Sequence, residues 1–320
     1  TAVDALNGDL LWSSTLPRGG DVESLVPTLD GSGLIVTEGG SDFGVVRFDV
    51  RRGEVDWRTD RRAIRAASPD RTFAVSTGGV RADGAFVLST ETHVLTFDNT
   101  NGDITSATDW PQRMPIAEQF RVWPDGRVSR EVAGEENAGI LFDPANPDRG
   151  MRRLAGIPQS FSADGSLAAL VANGERDAVV RLIDTKTLKD SSNHVGVRST
   201  VSGVAWSPEG DSLALTGGND VTIVNLSTMA PSPPIVGHSG AVEGLVFAGP
   251  GGDLVWTAGR DGTAVAFDVN GTLTPIAVRA ADPRPYIGRT ARSAPLGVYL
   301  EVHDGRTNRA FLTDLDTGDN

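Results

Sequence analysis

Residues 201–226 read VSGVAWSPEGDSLALTGGNDVTIVNL, and this stretch decides the fold. Val201 to Trp206 is an apolar, β-branched run of strand length. Ser207-Pro208-Glu209-Gly210 then supplies a tight turn, because proline pre-sets the first central φ and glycine accepts the positive φ that other residues avoid. Ser212 to Thr216 makes a second strand, antiparallel to the first because so short a connection allows nothing else. Val221 to Leu226 makes a third strand, and a fourth reaches toward Ile235.

The same pattern recurs along the chain. A third strand closing on Asp or Asn occurs at Ala2-Val3-Asp4, Arg47-Phe48-Asp49, Thr96-Phe97-Asp98, Leu141-Phe142-Asp143, Leu182-Ile183-Asp184, Ile223-Val224-Asn225, Ala266-Phe267-Asp268 and Leu312-Thr313-Asp314, at steps of 41 to 49 residues. A turn signature precedes the later copies by about 18 residues. It reads Leu29-Asp30-Gly31, Ser68-Pro69-Asp70, Trp123-Pro124-Asp125-Gly126, Ser162-Ala163-Asp164-Gly165, Ser207-Pro208-Glu209-Gly210 and Gly249-Pro250-Gly251-Gly252.

Four short strands per repeat, Gly/Pro/Asp turns and no convincing helix match the blade of a β-propeller. One blade cannot bury both faces alone, so neighbours must stack. The uniform spacing has no linker-like break, so residues 1–320 read as one all-β domain. The expected architecture is a seven-bladed β-propeller of four-stranded antiparallel blades. The ring would be closed by a strand from the N-terminus, Asp9 to Leu16, which removes an exposed sheet edge. An eight-bladed ring lacking half a blade is the alternative. First strands are expected near Glu23, Ala63, Glu118, Ile157, Ser202, Glu243 and Pro285.

The 320 residues carry 29 Lys and Arg against 42 Asp and Glu, a formal charge of −13. That argues against a nucleic-acid binder, which needs a basic face to displace phosphate counterions. No apolar run approaches the roughly 20 residues that span a bilayer, so membrane insertion is not expected. Cysteine is absent, which removes disulfides and thiolate chemistry. Lys186 and Lys189 are the only lysines beside many arginines, a bias of high-GC bacterial coding. The start at Thr1 suggests a module excised from a longer chain, with other domains of that chain as partners.

Gly237-His238-Ser239-Gly240-Ala241-Val242-Glu243, continued by Val255-Trp256-Thr257-Ala258-Gly259-Arg260-Asp261-Gly262 and closing on Phe267-Asp268, resembles a WD40 repeat. The resemblance implies a buried structural relay of His238, Thr257 and Asp261, with Phe267 where that family has a hydrogen-bonding Trp. Residues 201–226 keep Thr216 and Asp220 of the motif but lack its Gly-His. Ala2 to Trp12 and Phe48 to Trp57 look like quinoprotein-type repeats, in which Trp12 and Trp57 would dock one blade on the next. No oxygen-rich loop resembles the Ca²⁺ cluster that a quinone needs, so no cofactor and no metal are expected.

The four histidines, His93, His194, His238 and His303, show no metal-ligand spacing, and no nucleophile elbow or phosphate loop occurs. His93 and His194 read as solvated loop residues. Most Asp residues sit at turns fixed by the repeat, so no catalytic residue is assigned and the chain is read as a non-enzyme. A binding rim is expected where loops enter the first strands, at Glu23, Glu118, Ser202 and Glu243, joined by Asn219 and Arg260 from the loops after the second strands. Three glutamates at one mouth favour a basic protein or peptide. The expected function is a WD40-like protein–protein interaction or sensing module of a larger bacterial regulatory or signalling protein. It is placed in the cytoplasm, or alternatively in an extracytoplasmic domain of a membrane-anchored protein. A quinoprotein-like oxidoreductase or a propeller hydrolase is the alternative function.

Overall fold

The computed structural model describes residues 2–3, 10–12, 22–39, 43–69, 78–112, 120–132, 135, 137–248, 252–261, 263–269, 275–280, 286–293, 297–303 and 308–313. It is built from consecutive antiparallel sheets, each with its strands in chain order. Sheet A comprises Val22–Pro27, Gly33–Glu38, Gly44–Asp49 and Val55–Asp60. Sheet B comprises Gly79–Val80, Phe86–Ser89, His93–Phe97 and Ile104–Asp109. Sheets C (120–154), D (157–197) and F (242–280) also have four strands, and sheet E (203–236) has five because Ala230–Pro231 and Ile235–Val236 both pair with Asp220–Asn225. Sheet G, Tyr286–Ser293, Gly297–His303 and Asn308–Thr313, has three. Leu10–Trp12 pairs with Ala2–Val3 in a separate two-stranded ladder.

The chain divides into two compact units. One comprises Trp12–Ile157 with Ser293–Pro295, and the other comprises Thr1–Leu11, Pro158–Arg292 and Leu296–Asn320.

One turn builds five of the sheets. In Thr28–Gly31, Arg81–Gly84, Trp123–Gly126, Ser162–Gly165 and Ser207–Gly210 the glycine amide donates to the carbonyl three residues back, at 2.8–3.0 Å. Each glycine sits at φ between 66° and 87°, where a Cβ would strain the backbone. Asp30, Asp83, Asp125 and Asp164 each accept from the amide two residues on, so the acidic residue fixes the turn from within. The connections after the third strands work similarly: Asp49, Asp98, Asp143, Asp184 and Asn225 accept from amides two residues on.

Sheet B corrects the sequence reading. Ala63, expected to open its first strand, lies in a helix, α1 (Arg61–Ala67), capped by the Asp60 carboxylate accepting from the Ala63 amide at 3.0 Å. Ile64 is its one buried residue and packs into the core between sheets A and B. The sheet's turn is Arg81-Ala82-Asp83-Gly84 instead of Ser68-Pro69-Asp70. Proline favours Ser68 as the turn, but Asp83 stands 15 residues before Asp98, close to the 16 to 20 of the other repeats, whereas Asp70 stands 28 before it.

Within the 12–157 unit, aromatic docking joins the sheets. Trp57 is buried and its indole N–H donates to the Asn99 carbonyl in the last turn of sheet B at 2.8 Å. Gly102, at φ +77°, leaves room for that ring: a Cβ there would stand 2.5 Å from it. Trp110 donates to Ser89 at 3.2 Å and stacks 4.9 Å from Phe142 of sheet C. The side chain of Trp12 lies outside the described residues. Truncating Trp57 to Ala should cost about 3–5 kcal/mol. Trp57→Phe, which loses chiefly the hydrogen bond, should cost about 1 kcal/mol. Urea unfolding of the two variants checks this, and a Trp57→Ala protein as stable as wild type would remove the docking role.

Candidate functional site

The relay implied by the sequence forms. His238 is 3% exposed; its Nε2 stands 2.7 Å from the Thr257 hydroxyl, and its Nδ1 lies 3.2 Å from Asp261. Thr257 donates onward to the Val265 carbonyl at 3.1 Å, so no tryptophan is needed to satisfy it. Phe267 is a fully buried ring, and a Cβ on Gly237 would stand 2.5 Å from it. Two members escaped the sequence reading. Ser239 donates its amide to Asp261 at 2.7 Å, and Thr263 donates its amide and hydroxyl at 3.0 and 2.7 Å. The Asp261-Gly262-Thr263 spacing, with a hydroxyl two residues after an Asp, was the available signal.

These bonds hold a group of loops at one end of sheets E and F. Val242 donates its amide to Gly218 at 2.7 Å, Arg260 donates its amide to Ala241 at 2.8 Å, and Asn219 donates its side-chain amide to the His238 carbonyl at 3.2 Å. The structure thus gathers Ser202, Asn219 and Arg260, all exposed, at the end of the strands that carries the relay loop. The Ser202 hydroxyl is partly engaged, bonding the Thr216 hydroxyl at 3.1 Å.

Glu23 and Glu243 share one backbone position. In each case the register skips a residue at the start of the first strand, between Val22 and Ser24 and between Val242 and Gly244, so each glutamate is the extra residue of a β-bulge. Bulges of this kind re-aim a side chain. The side chains of Glu23 and Glu243, and all of Glu118, lie outside the described residues.

His93 is a correction. It opens a strand of sheet B and is largely buried: Nε2 meets the Asp109 carboxylate at 2.7 Å, and Nδ1 meets the Ser68 and Thr92 hydroxyls at 3.0 and 2.6 Å. Asp, His and Ser in line invite comparison with a hydrolytic triad. Ser68, however, is fully buried at the C-terminus of α1 and also meets Thr90 at 3.0 Å, so its hydroxyl cannot reach a carbonyl from solvent. The group clamps the helix end to the sheet. Nothing in the spacing of Ser68, His93 and Asp109 announced it, because the helix that brings Ser68 there was not expected. His194 is exposed on a strand of sheet D. Among the described residues no three His, Asp or Glu gather to hold a metal ion, and no helix is long and apolar enough to cross a membrane.

No protein-family model matches the chain, and no curated protein matches it in sequence. A solved structure described as a Dos1 propeller superposes with a TM-score of 0.66 at 12% identity, over 95% of this chain and 82% of that one. At that identity the likeness concerns fold alone: the chain has a β-propeller fold.

The carboxylates carry a pH dependence. Burial alone would raise the Asp261 carboxyl, but hydrogen bonds from Thr263, Ser239 and His238 outweigh it and hold the group well below the usual range. Asp30 is held at about 2 by the hydroxyls of Thr28 and Ser32, and Asp164 at about 2 by the Ser162 hydroxyl and the Ser166 amide. A carboxyl depressed on folding contributes stability that is complete above its unfolded pKa of about 4 and is lost as pH falls below it. Stability should therefore decline from about pH 4 downward, through the window set by Asp30 and Asp164. Asp261→Asn should be less stable at neutral pH and should show a shallower acid limb. Chemical denaturation at a series of pH values tests this, and an unchanged acid limb in Asp261→Asn would refute it.

Proposed function

We propose that the chain is a seven-bladed, WD40-like propeller closed by its N-terminal segment. It would serve as a non-catalytic docking or sensing module within a larger regulatory or signalling protein of a high-GC bacterium, on its cytoplasmic side. The observation that carries the reading is how the relay is spent. His238, Asp261, Thr257, Thr263 and Ser239 satisfy one another, and the order they impose falls on the loops that present Asn219 and Arg260. Polar groups committed to fixing a surface suit recognition, because a preorganised face loses little entropy on binding. The acidic balance of the chain and the recurrent bulge glutamates favour a protein or peptide partner of basic character.

The test compares affinity capture from a high-GC bacterial lysate by wild type and by a Glu23→Arg, Glu118→Arg, Glu243→Arg triple variant. Asn219→Ala with Arg260→Ala serves as a second probe of the same end. Reversed charge at the mouth should weaken the captured partner's affinity tenfold or more by titration, a loss of roughly 1.4 kcal/mol. A partner that binds both forms equally, and the Asn219/Arg260 form too, would place recognition elsewhere and overturn the reading.

A further inference from the structure

At the opposite end of the sheets from the relay loops, the 158–292 region carries a cavity of about 300 Å³. Its walls come from the first strands of three successive sheets: Ser160 and Phe161 of sheet D, Val204 to Ser207 at the end of the first strand of sheet E, and Leu245 to Phe247 of sheet F. Each of these strands is terminal in its sheet, so one edge of its backbone has no partner strand. In a propeller such first strands face the central channel. Among the described residues no charged side chain lines the space.

One donor there is unspent. The buried indoles of Trp57, Trp110 and Trp123 each donate, to Asn99, Ser89 and Ser129. Trp206, 6% exposed and lining the cavity, meets no acceptor among the described residues. A buried indole N–H that finds no acceptor is rare in folded proteins and calls for an explanation. The half-buried Trp256 also finds no acceptor among the described residues, but it is not among the residues that line this space. Within the wall the Ser207 hydroxyl is committed to Asp211 at 2.8 Å.

We propose that this cavity is a subsite for one leucine-sized side chain of a neutral peptide segment, whose backbone carbonyl accepts the Trp206 indole N–H. The volume is at the small end for ligand pockets, fitting one side chain and its peptide unit better than a larger organic molecule. Phe161, Val204 and Leu245 supply apolar walls. A carboxylate would enter without a cation to pair it, in a chain of charge −13, and is disfavoured. The site is independent of the docking end described above and stands or falls separately from it.

The experiment titrates N-acetyl-leucinamide into ¹⁵N-labelled protein and follows the indole N–H resonances, with that of Trp206 identified by its loss in Trp206→Phe. The expected result is a saturable shift of the Trp206 resonance alone. Calorimetry should show affinity reduced roughly tenfold in Trp206→Phe, the worth of one hydrogen bond. Ala205→Leu, which fills the space from the edge of sheet E, should abolish the shift, and it carries the test should Trp206→Phe not fold. A Trp206 resonance unmoved through the tens-of-millimolar range overturns the proposal. So does equal binding of the charged acid N-acetyl-leucine, which would contradict the neutral acceptor.

Discussion

Long runs of the second strands, and in some sheets of the third, are buried residue after residue, and that requirement governs the architecture. Gly33–Glu38, Phe86–Ser89 and Gly139–Phe142 show no exposed position, and in Leu167–Asn173 the buried run alternates Ala168, Ala169, Leu170 and Val171 without a polar face. A strand buried on both faces needs a layer on each side of its sheet. The core clusters accordingly straddle neighbouring sheets: Ile35, Phe43 and Val45 of sheet A pack with Phe86, Leu88 and Phe97 of sheet B, and Val171 and Val180 of sheet D pack with Val204, Leu213 and Leu215 of sheet E. Stacking thus supplies the core that no sheet could form alone.

Tight stacking leaves polar groups few places to go, and some of those that enter are paired across strands. Glu38 is fully buried, and its Oε2 accepts from Nε and Nη2 of Arg58 at 3.0 and 2.7 Å. Gly44 makes room for that pair, since a Cβ there would stand 2.9 Å from Glu38 Oε2 and 3.0 Å from Arg58 Nη2. Arg130 is the harder case, 2% exposed in the middle of sheet C with its guanidinium 5.7 Å from the Trp110 ring. Burial pushes it down to about 10, countered by the charges of Glu131 and Glu91, so it stays cationic near neutrality. Removing one partner of such a group costs more than the pair itself contributes, because the other is left charged in the interior.

The period, the turns and the strand content were legible because each rests on local chemistry. A glycine at positive φ and an Asp that caps its own turn leave the same trace in every copy. Where the structure departs from that reading, a nonlocal cause decides. Helix α1 buries only one residue fully, Ile64, with the small Ala67 packed beside it, so no strong helical periodicity marks it, and it exists because Asp60 caps it and the core between sheets A and B accepts the Ile64 side chain. The clamp of Ser68, His93 and Asp109 follows from the helix and was therefore invisible. Trp206 read as an ordinary apolar strand residue. Only its placement shows an indole without an acceptor among the described residues, at the edge of three strands.

The degenerate repeats also make structural sense. Among the described residues only sheet F has the full histidine relay, yet the end of the second strand is tied in other sheets too. In sheet A the hydroxyls of Ser24 and Thr37 meet at 2.7 Å, both buried, and in sheet E those of Ser202 and Thr216 meet at 3.1 Å. A serine on or just before the first strand, paired with a threonine on the second, closes the gap that His238 and Thr257 close in sheet F. What the repeat preserves is a hydrogen-bonded tie between the first two strands near the loops, and a hydroxyl pair meets that need as well as an imidazole. The histidine adds reach. Through Asp261 it fixes Ser239 and Thr263 as well, so one imidazole ties together two loops that a hydroxyl pair would leave apart.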